Sequence, residues 1–306
     1  MNESRNPGSG TVRVGTAGWS YADWKGRVYP DPRPRGFDEL RYLAGFLDIL
    51  EVNSTFYRVP TAKTVEGWVR RTDPVPGFVF TAKVHQAFTH GEDAEGGPAE
   101  ARAFLDALRP LTESGRLAAL LLQFPWSFRD GPGARRRLGR LCEFFRTLPL
   151  VVEVRHASFG TPEAEAFLGA LGAGIASVDM PQAPSNLPPR AGAPGTLGYV
   201  RLHGRNAAAW FDPRAGRDRR YDYLYSAPEI DAVAARVRRI AAEAPATFVV
   251  TNNHFRGQGP ANSFMLMARL LGRPVPVPPD LLREFPLLAA DAAAVPPPRG
   301  AQGTLF

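Results

Sequence analysis

Eight short apolar runs are spaced along the chain, and nearly every one ends in polar or chemically active residues. They read VRVGTAGW, LDILEVNSTFY, GFVFTAKVH, LAALLLQFPW, LVVEVRH, IASVDM, TLGYVRLHG and TFVVTNNHF. Runs that are continuous rather than alternating, and rich in Val, Leu and Phe, fit strands buried on both faces. Such strands belong to parallel sheets whose connections are helices. The stretches between them supply helical patterns: GFDELRYLAGF, TAKTVEGWVRRT with Thr61 or Thr64 as its cap, and residues 98–109, 134–147, 162–172, 228–243 and 261–272. The alternation predicts an α/β fold, a (β/α)8 TIM-type barrel, with its active site at the carboxyl ends of the strands.

One connection departs from the pattern. PQAPSNLPPRAGAPG, between the sixth and seventh runs, has five prolines and no helical period, so a loop is expected in place of a barrel helix. Residues 1–10 read as a disordered leader, 11–273 as the barrel domain, and 274–306 as a Pro-rich tail that wraps the barrel or extends from it. With 306 residues and 44% hydrophobic content the chain suits one such domain. No apolar run approaches the roughly 20 residues of a membrane span, and no signal peptide is visible, so the expected compartment is the cytoplasm. A single cysteine, Cys142, excludes an internal disulfide and fits a buried core thiol. Oligomeric state is left open.

The formal charge of +7 makes polyanions plausible partners. Most of the excess is arginine: only Lys25, Lys63 and Lys83 are lysines. Lys83 nevertheless falls at the end of the third run. An amine there can lose a proton or form an imine, which a guanidinium cannot.

The strand ends gather a candidate site. Trp19, Tyr21 and Trp24 follow the first run, and Glu51 and Asn53 alternate to one side of the second. Lys83 ends the third and Gln123 the fourth. Glu153 and Arg155 share a side of the fifth, Asp179 ends the sixth, Arg201 and His203 share a face of the seventh, and Asn252 or Asn253 closes the eighth. Glu51, Lys83, Glu153 and His203 are the expected acid–base groups. Arg155 and Arg201 would stabilise negative charge, Asn53 and Asn252 would orient substrate, and the tryptophan faces suit a flat ring. Buried Glu–Arg pairs holding the barrel in register are the structural alternative.

Several strings in this order, VGTAGWSYADWKGRVYP, LEVNSTFYRVP, FVFTAKVHQAFTH, LLQFPWSF, VVEVRH, YVRLHGRN and VVTNNH, resemble the domain-of-unknown-function-72 family, the YecE-like proteins. The resemblance spans about residues 12 to 272 and implies a TIM-type barrel. It brings no established reaction.

No GxSxG, P-loop or strand-linked GxGxxG motif is present. The expectation is an enzyme of unassigned reaction class (hydrolase, lyase and isomerase all stay open) acting on a polar or anionic ring-containing molecule, such as a nucleic-acid-derived one. A cofactor is not expected. A divalent metal held by histidines with Glu and Asp is the alternative, and would suit a barrel endonuclease or a sugar isomerase-like enzyme. A different class of reading comes from the last five residues, Gln302 to Phe306. They are similar to the pentapeptide by which bacterial replication and repair proteins dock on the DNA sliding clamp, with Gln302 making polar contacts and Leu305 and Phe306 filling an apolar pocket. Gly303 stands where that peptide commonly has Leu. On that reading the chain is a non-catalytic ligand-binding adaptor tethered to the clamp.

Overall fold

The computed structural model describes residues 10–90, 96–193 and 195–293. Nine parallel strand segments form one sheet: β1 (Thr11–Ala17), β2 (Ile49–Val52), β3 (Val79–Lys83), β4 (Leu117–Gln123), β5 (Leu150–Glu153), β6 (Gly174–Ile175), β7 (Ser177–Asp179), β8 (Gly198–Leu202) and β9 (Ala246–Thr251). β6 and β7 are two halves of one barrel strand interrupted at Ala176. The first half pairs with β5 and the second with β8, and the Ala176 N–H donates to the Val152 carbonyl at 2.9 Å. β1 pairs with both β2 and β9, which brings the two ends of the chain of strands together. The result is an eight-stranded barrel of the TIM type.

Helices cover the outside, and most start at a side-chain cap or a proline that the sequence supplies. α1 (Glu39–Ala44) begins after Asp38, whose carboxylate accepts from the Arg41 N–H. α2 (Ala62–Thr72) begins after Thr61, whose hydroxyl accepts from the Thr64 N–H. α3 (Pro98–Glu113) buries Ala101, Phe104, Leu108 and Leu111, the three-and-four spacing of a helix face on a sheet. α4 (Pro132–Phe145) and α5 (Pro162–Gly169) also open with proline in the first turn. α6 (Ala227–Glu243) opens after Ser226, whose N–H and hydroxyl both donate to the Glu229 carboxylate, and α7 (Gln258–Leu271) packs beside it. Between Asp179 and Gly198 there is no helix among the described residues. Cys142 is buried on α4, and burial pushes its thiol up to about 11.

Residues 275–293, read from sequence as the start of the tail, pack on the barrel. β10 (Val275–Pro276) pairs with β11 (Ala292–Ala293), α8 (Pro279–Glu284) lies between them, and Val277, Leu281 and Leu288 are fully buried. Gln302, Leu305 and Phe306 lie outside the described residues, as do residues 1–9. No helix among the described residues is long and apolar enough to cross a membrane.

The alternation of strand side chains sets the interior. Leu50, Phe80, Leu122, Val152, Val200 and Val249 face the helices in one large cluster. Their neighbours Ile49, Val79, Leu121, Val151, Tyr199 and Val250 fill the barrel with Ala17 and Phe248. One step further along the same inward rows the chemistry changes. Glu51 follows Ile49, Gln123 follows Leu121, Glu153 follows Val151, Arg201 follows Tyr199 and Asn252 follows Val250; on β3, Lys83 follows Thr81. The barrel is thus apolar in its middle and polar at its carboxyl end.

Candidate functional site

Above that polar layer lies a cavity of about 670 Å³. Its floor is a buried ion network centred on Arg201, which is 1% exposed. Arg201 donates from Nε and Nη2 to the two Glu51 oxygens at 3.0 and 2.6 Å, and from Nη1 to Glu153 Oε2 at 2.8 Å. Its Nη2 also reaches Asn252 Oδ1 at 3.3 Å. The Tyr199 hydroxyl donates to Glu51 Oε2 at 2.9 Å and accepts from Thr81 Oγ1. The other Glu153 oxygen takes Arg155 Nε at 2.7 Å. Two buried carboxylates are therefore matched by two guanidiniums, the arrangement that makes burying these charges tolerable.

Burial alone would raise the Glu153 carboxyl, but Arg201 and Arg155 hold it below the usual range. His203, fully buried beside Arg201 and Asn252, is pushed well below its ordinary value, by burial first and then by Arg155 and Arg201. It is a neutral imidazole at neutral pH.

Lys83 sits at the edge of this floor and lines the cavity. Its ammonium donates to Gln123 Oε1 at 2.8 Å and lies 3.9 Å from the centroid of the Phe56 ring. The Gln123 amide is oriented by its own N–H, which donates to the Phe124 carbonyl at 2.6 Å and leaves the oxygen to the lysine. Burial, and next the nearby Arg201 guanidinium, lower the Lys83 pKa to about 7; Glu51 and Glu153 oppose that shift. His90, also on the cavity, falls to about 4 through burial and then Lys83 and Arg155.

Aromatic rings make the walls. Trp19 stands edge-on to Trp68 and Phe80. Tyr21 stacks on His254 with ring centroids 4.4 Å apart, and its hydroxyl donates to the Ala17 carbonyl. Trp126 and Tyr57 line the cavity while still exposed to solvent, as a rim does. Gly18 allows the turn into this wall. Its φ is +75°, and a Cβ there would stand 2.6 Å from the Tyr21 hydroxyl oxygen.

Of the residues singled out in the sequence, Trp19, Tyr21, Asn53, Lys83, Gln123, Arg155, Arg201 and Asn252 line the cavity. Glu51, Glu153 and His203 lie beneath it, fully buried, and act on it through Arg201, Arg155 and Asn252. Two residues are elsewhere. Trp24 is a fully buried wall residue whose indole N–H donates to the His254 carbonyl at 2.7 Å. Asp179 belongs to a separate cluster, where it accepts from Arg205, Arg236 and Tyr225. The cavity also uses Ser20, Ser54, Phe56, Tyr57, Pro125, Tyr221 and His254. All but Tyr221 sit within a few positions of a strand end, so extending each strand end by five residues would have reached them. Among the described residues no group of three or more His, Cys, Asp or Glu side chains is placed to hold a metal ion.

Comparison with known proteins agrees with this architecture. The family model described as "Protein of unknown function DUF72" matches residues 13–282. The UPF0759 protein YunF of Bacillus subtilis is 27% identical over 274 residues, 85% of this chain and 94% of that one. A DUF72 family protein of Thermotoga maritima, solved by crystallography, is 33% identical and aligns over 85% of this chain and 99% of its own with a TM-score of 0.74. One from Enterococcus faecalis is 28% identical over 85% of this chain and 96% of its own, with a TM-score of 0.75. The family model covers most of the chain and the relatives align along nearly their whole length, so the chain is a member of the DUF72 family.

Proposed function

We propose that this protein is an enzyme whose reaction takes place at the carboxyl mouth of the barrel, on an anionic molecule containing a flat ring, with Lys83 as the group that exchanges a proton with it. The observation behind this reading is the placement of Lys83: a half-buried amine bonded to the neutral Gln123 oxygen in a cavity walled by aromatic rings, where burial lowers its pKa to about 7. A pKa near the working pH suits a group that both takes and returns a proton. Arg201 and Arg155 are already matched by Glu51 and Glu153, so the Lys83 ammonium is the surplus positive charge facing a ligand. Tyr21, Trp19 and Trp126 offer faces for the ring.

The test is a panel of nucleotides, sugar phosphates and aromatic carboxylates, followed by the fluorescence of Trp19 and Trp126 for binding and by product analysis for turnover. Turnover lost in Lys83→Met while binding persists supports the reading. A panel that neither binds nor turns over overturns it, and retained binding without turnover by the wild type favours the ligand-binding adaptor. The carboxyl-terminal Gln302, Leu305 and Phe306 support a separate proposal, contact with a DNA sliding clamp, on sequence alone. Clamp pull-down by the full chain, abolished by deleting residues 302–306, would support it, and equal capture of both would overturn it.

A further inference from the structure

We infer that Lys83 condenses with a carbonyl carbon of its substrate, so that the substrate class is an anionic, ring-bearing aldehyde or ketone held as an imine on this side chain. The inference rests on the reading above, since it places the substrate in the same cavity, and it adds a bond from the Lys83 nitrogen to a substrate carbon, with the proton exchange at Lys83 belonging to the steps that make and break that bond.

Three features of the site converge on it. First, Lys83 makes no ion pair among the described residues. A lysine that only holds a barrel together has carboxylates to bond, and two lie in the same layer. Here Arg201 and Arg155 occupy both, and the amine is left with the neutral oxygen of Gln123. Second, Lys83 is the one primary amine among the lining side chains, and the serine and tyrosine hydroxyls and the His90 and His254 imidazoles beside it cannot close a C=N bond with loss of water. Ser20 and Ser54 are hydroxyls, the one cysteine is buried on α4, and Glu51 and Glu153 lie below the floor. Third, Glu51 and Glu153 beneath Lys83 favour a cation at this nitrogen, against the burial and the Arg201 and Arg155 guanidiniums that disfavour it. A protonated imine is such a cation, and it keeps its charge after the ammonium has been consumed.

The step balances without a redox partner. The neutral amine gives its lone pair to the carbonyl carbon, the C–N bond forms, and the π pair moves to oxygen, which takes a proton. The nitrogen then loses a proton, the hydroxyl departs as water with one, and the C=N bond closes. One water is released per imine. Once protonated, the imine draws electrons from the adjacent C–H or C–C bond, which is the chemistry such an adduct makes available. Lowering the amine toward neutrality by burial supplies the uncharged form that attack requires.

The chain itself provides the control, because Lys25 and Lys63 are its other lysines. Lys25 is exposed and paired with Asp31, and Lys63 is exposed on α2. The probe is pyridoxal 5′-phosphate, an anionic ring aldehyde, with sodium cyanoborohydride to fix any imine as a stable amine. The modified lysine is read by peptide mass at pH 7. Lys83 is expected to label roughly tenfold or more faster than either other lysine, given that an ordinary lysine at pH 7 is almost wholly protonated. Lys83→Arg is expected to lose that fast phase and leave the slow labelling of Lys25 and Lys63 unchanged. Labelling of Lys83 no faster than Lys25 and Lys63 in the wild type overturns the inference without requiring any variant to fold.

Pyridoxine 5′-phosphate, the alcohol that cannot form an imine, separates this inference from the reading it rests on. If the alcohol binds and Lys83 is not labelled by the aldehyde, the imine is excluded and the anionic-ring site stands. If neither probe engages the cavity, both fall.

Discussion

The Lys83 amine donates to the side-chain oxygen of Gln123 at 2.8 Å and to neither of the two carboxylates buried in the same layer. The reason lies across the barrel. Arg201 spans Glu51 and Glu153, and Arg155 takes the remaining Glu153 oxygen, so the acids are saturated by groups that cannot give up a proton at neutral pH. The lysine is thereby left as the titrating group of the layer.

That assignment has a thermodynamic consequence. The Lys83 pKa is about 7 in the folded protein against an ordinary 10.5, so the unfolded chain binds more protons between those values. Stability gained from this residue therefore rises with pH through that window and is flat below it. The expected slope is at most about 1.4 kcal/mol per pH unit. Urea unfolding of wild type and Lys83→Met at pH 7, 8.5 and 10 measures it as the difference between the two proteins. Parallel stability curves would mean that the amine is not depressed.

Glu153→Gln removes a charge that two guanidiniums depend on. Arg201 and Arg155 would then share fewer acceptors in a layer where Glu153 and Arg201 are almost completely buried. Breaking one side of such a network costs about 3–5 kcal/mol. Because Glu153 also raises the Lys83 pKa, its loss lowers that pKa further. Chemical denaturation should show the first effect. The pH profile of Lys83 labelling should show the second, as an acid-ward shift of the midpoint. An unmoved midpoint with lowered stability would separate Glu153 from the amine.

Period-two alternation set Glu51, Glu153 and Arg201 on one side of their strands, position at a strand end marked Lys83, Gln123 and Asn252, and closure of the barrel brought those ends together. Alternation gives a direction but not a depth. It could not tell that Glu51 and Glu153 sit under Arg201 rather than beside the ligand, because that depends on the stagger between strands. Trp24 shows the complementary failure. It lies a few residues past a strand end, as the cavity residues do, yet the short turn at Ala22–Trp24 folds its ring into the wall. Asp179 ends its strand as expected, but Arg205 and Arg236 from later segments capture it. Tyr221 reaches the cavity only because the long segment after β8 returns over the mouth. Such a return has no periodic signature.

Gly18→Ala tests the wall. The backbone there has φ of +75°, and the added methyl would meet the Tyr21 hydroxyl. A left-handed conformation costs a non-glycine residue roughly 1–2 kcal/mol, and the close contact adds to that. Relief would come from moving Tyr21 off the Ala17 carbonyl and its stack on His254. The expected result is weaker ligand binding together with a modest loss of thermal stability. Unchanged affinity for pyridoxine 5′-phosphate would show that the Tyr21 face is not part of the binding surface.

Binding of an anion should be coupled to proton uptake. With Arg201 and Arg155 matched by Glu51 and Glu153, the group that responds to an added negative charge is Lys83, whose ammonium form the anion favours. Its pKa rises from about 7 on binding, so at pH 7 to 8 the complex takes up a fraction of a proton from solvent. His90, at about 4, stays neutral throughout and does not contribute. Isothermal titration with pyridoxine 5′-phosphate in two buffers of different ionisation enthalpy reads the uptake as a buffer-dependent heat. Uptake should shrink at pH 5.5, where Lys83 is already protonated, and vanish in Lys83→Met. Proton release, or uptake that survives this substitution, would assign the anion to a different group.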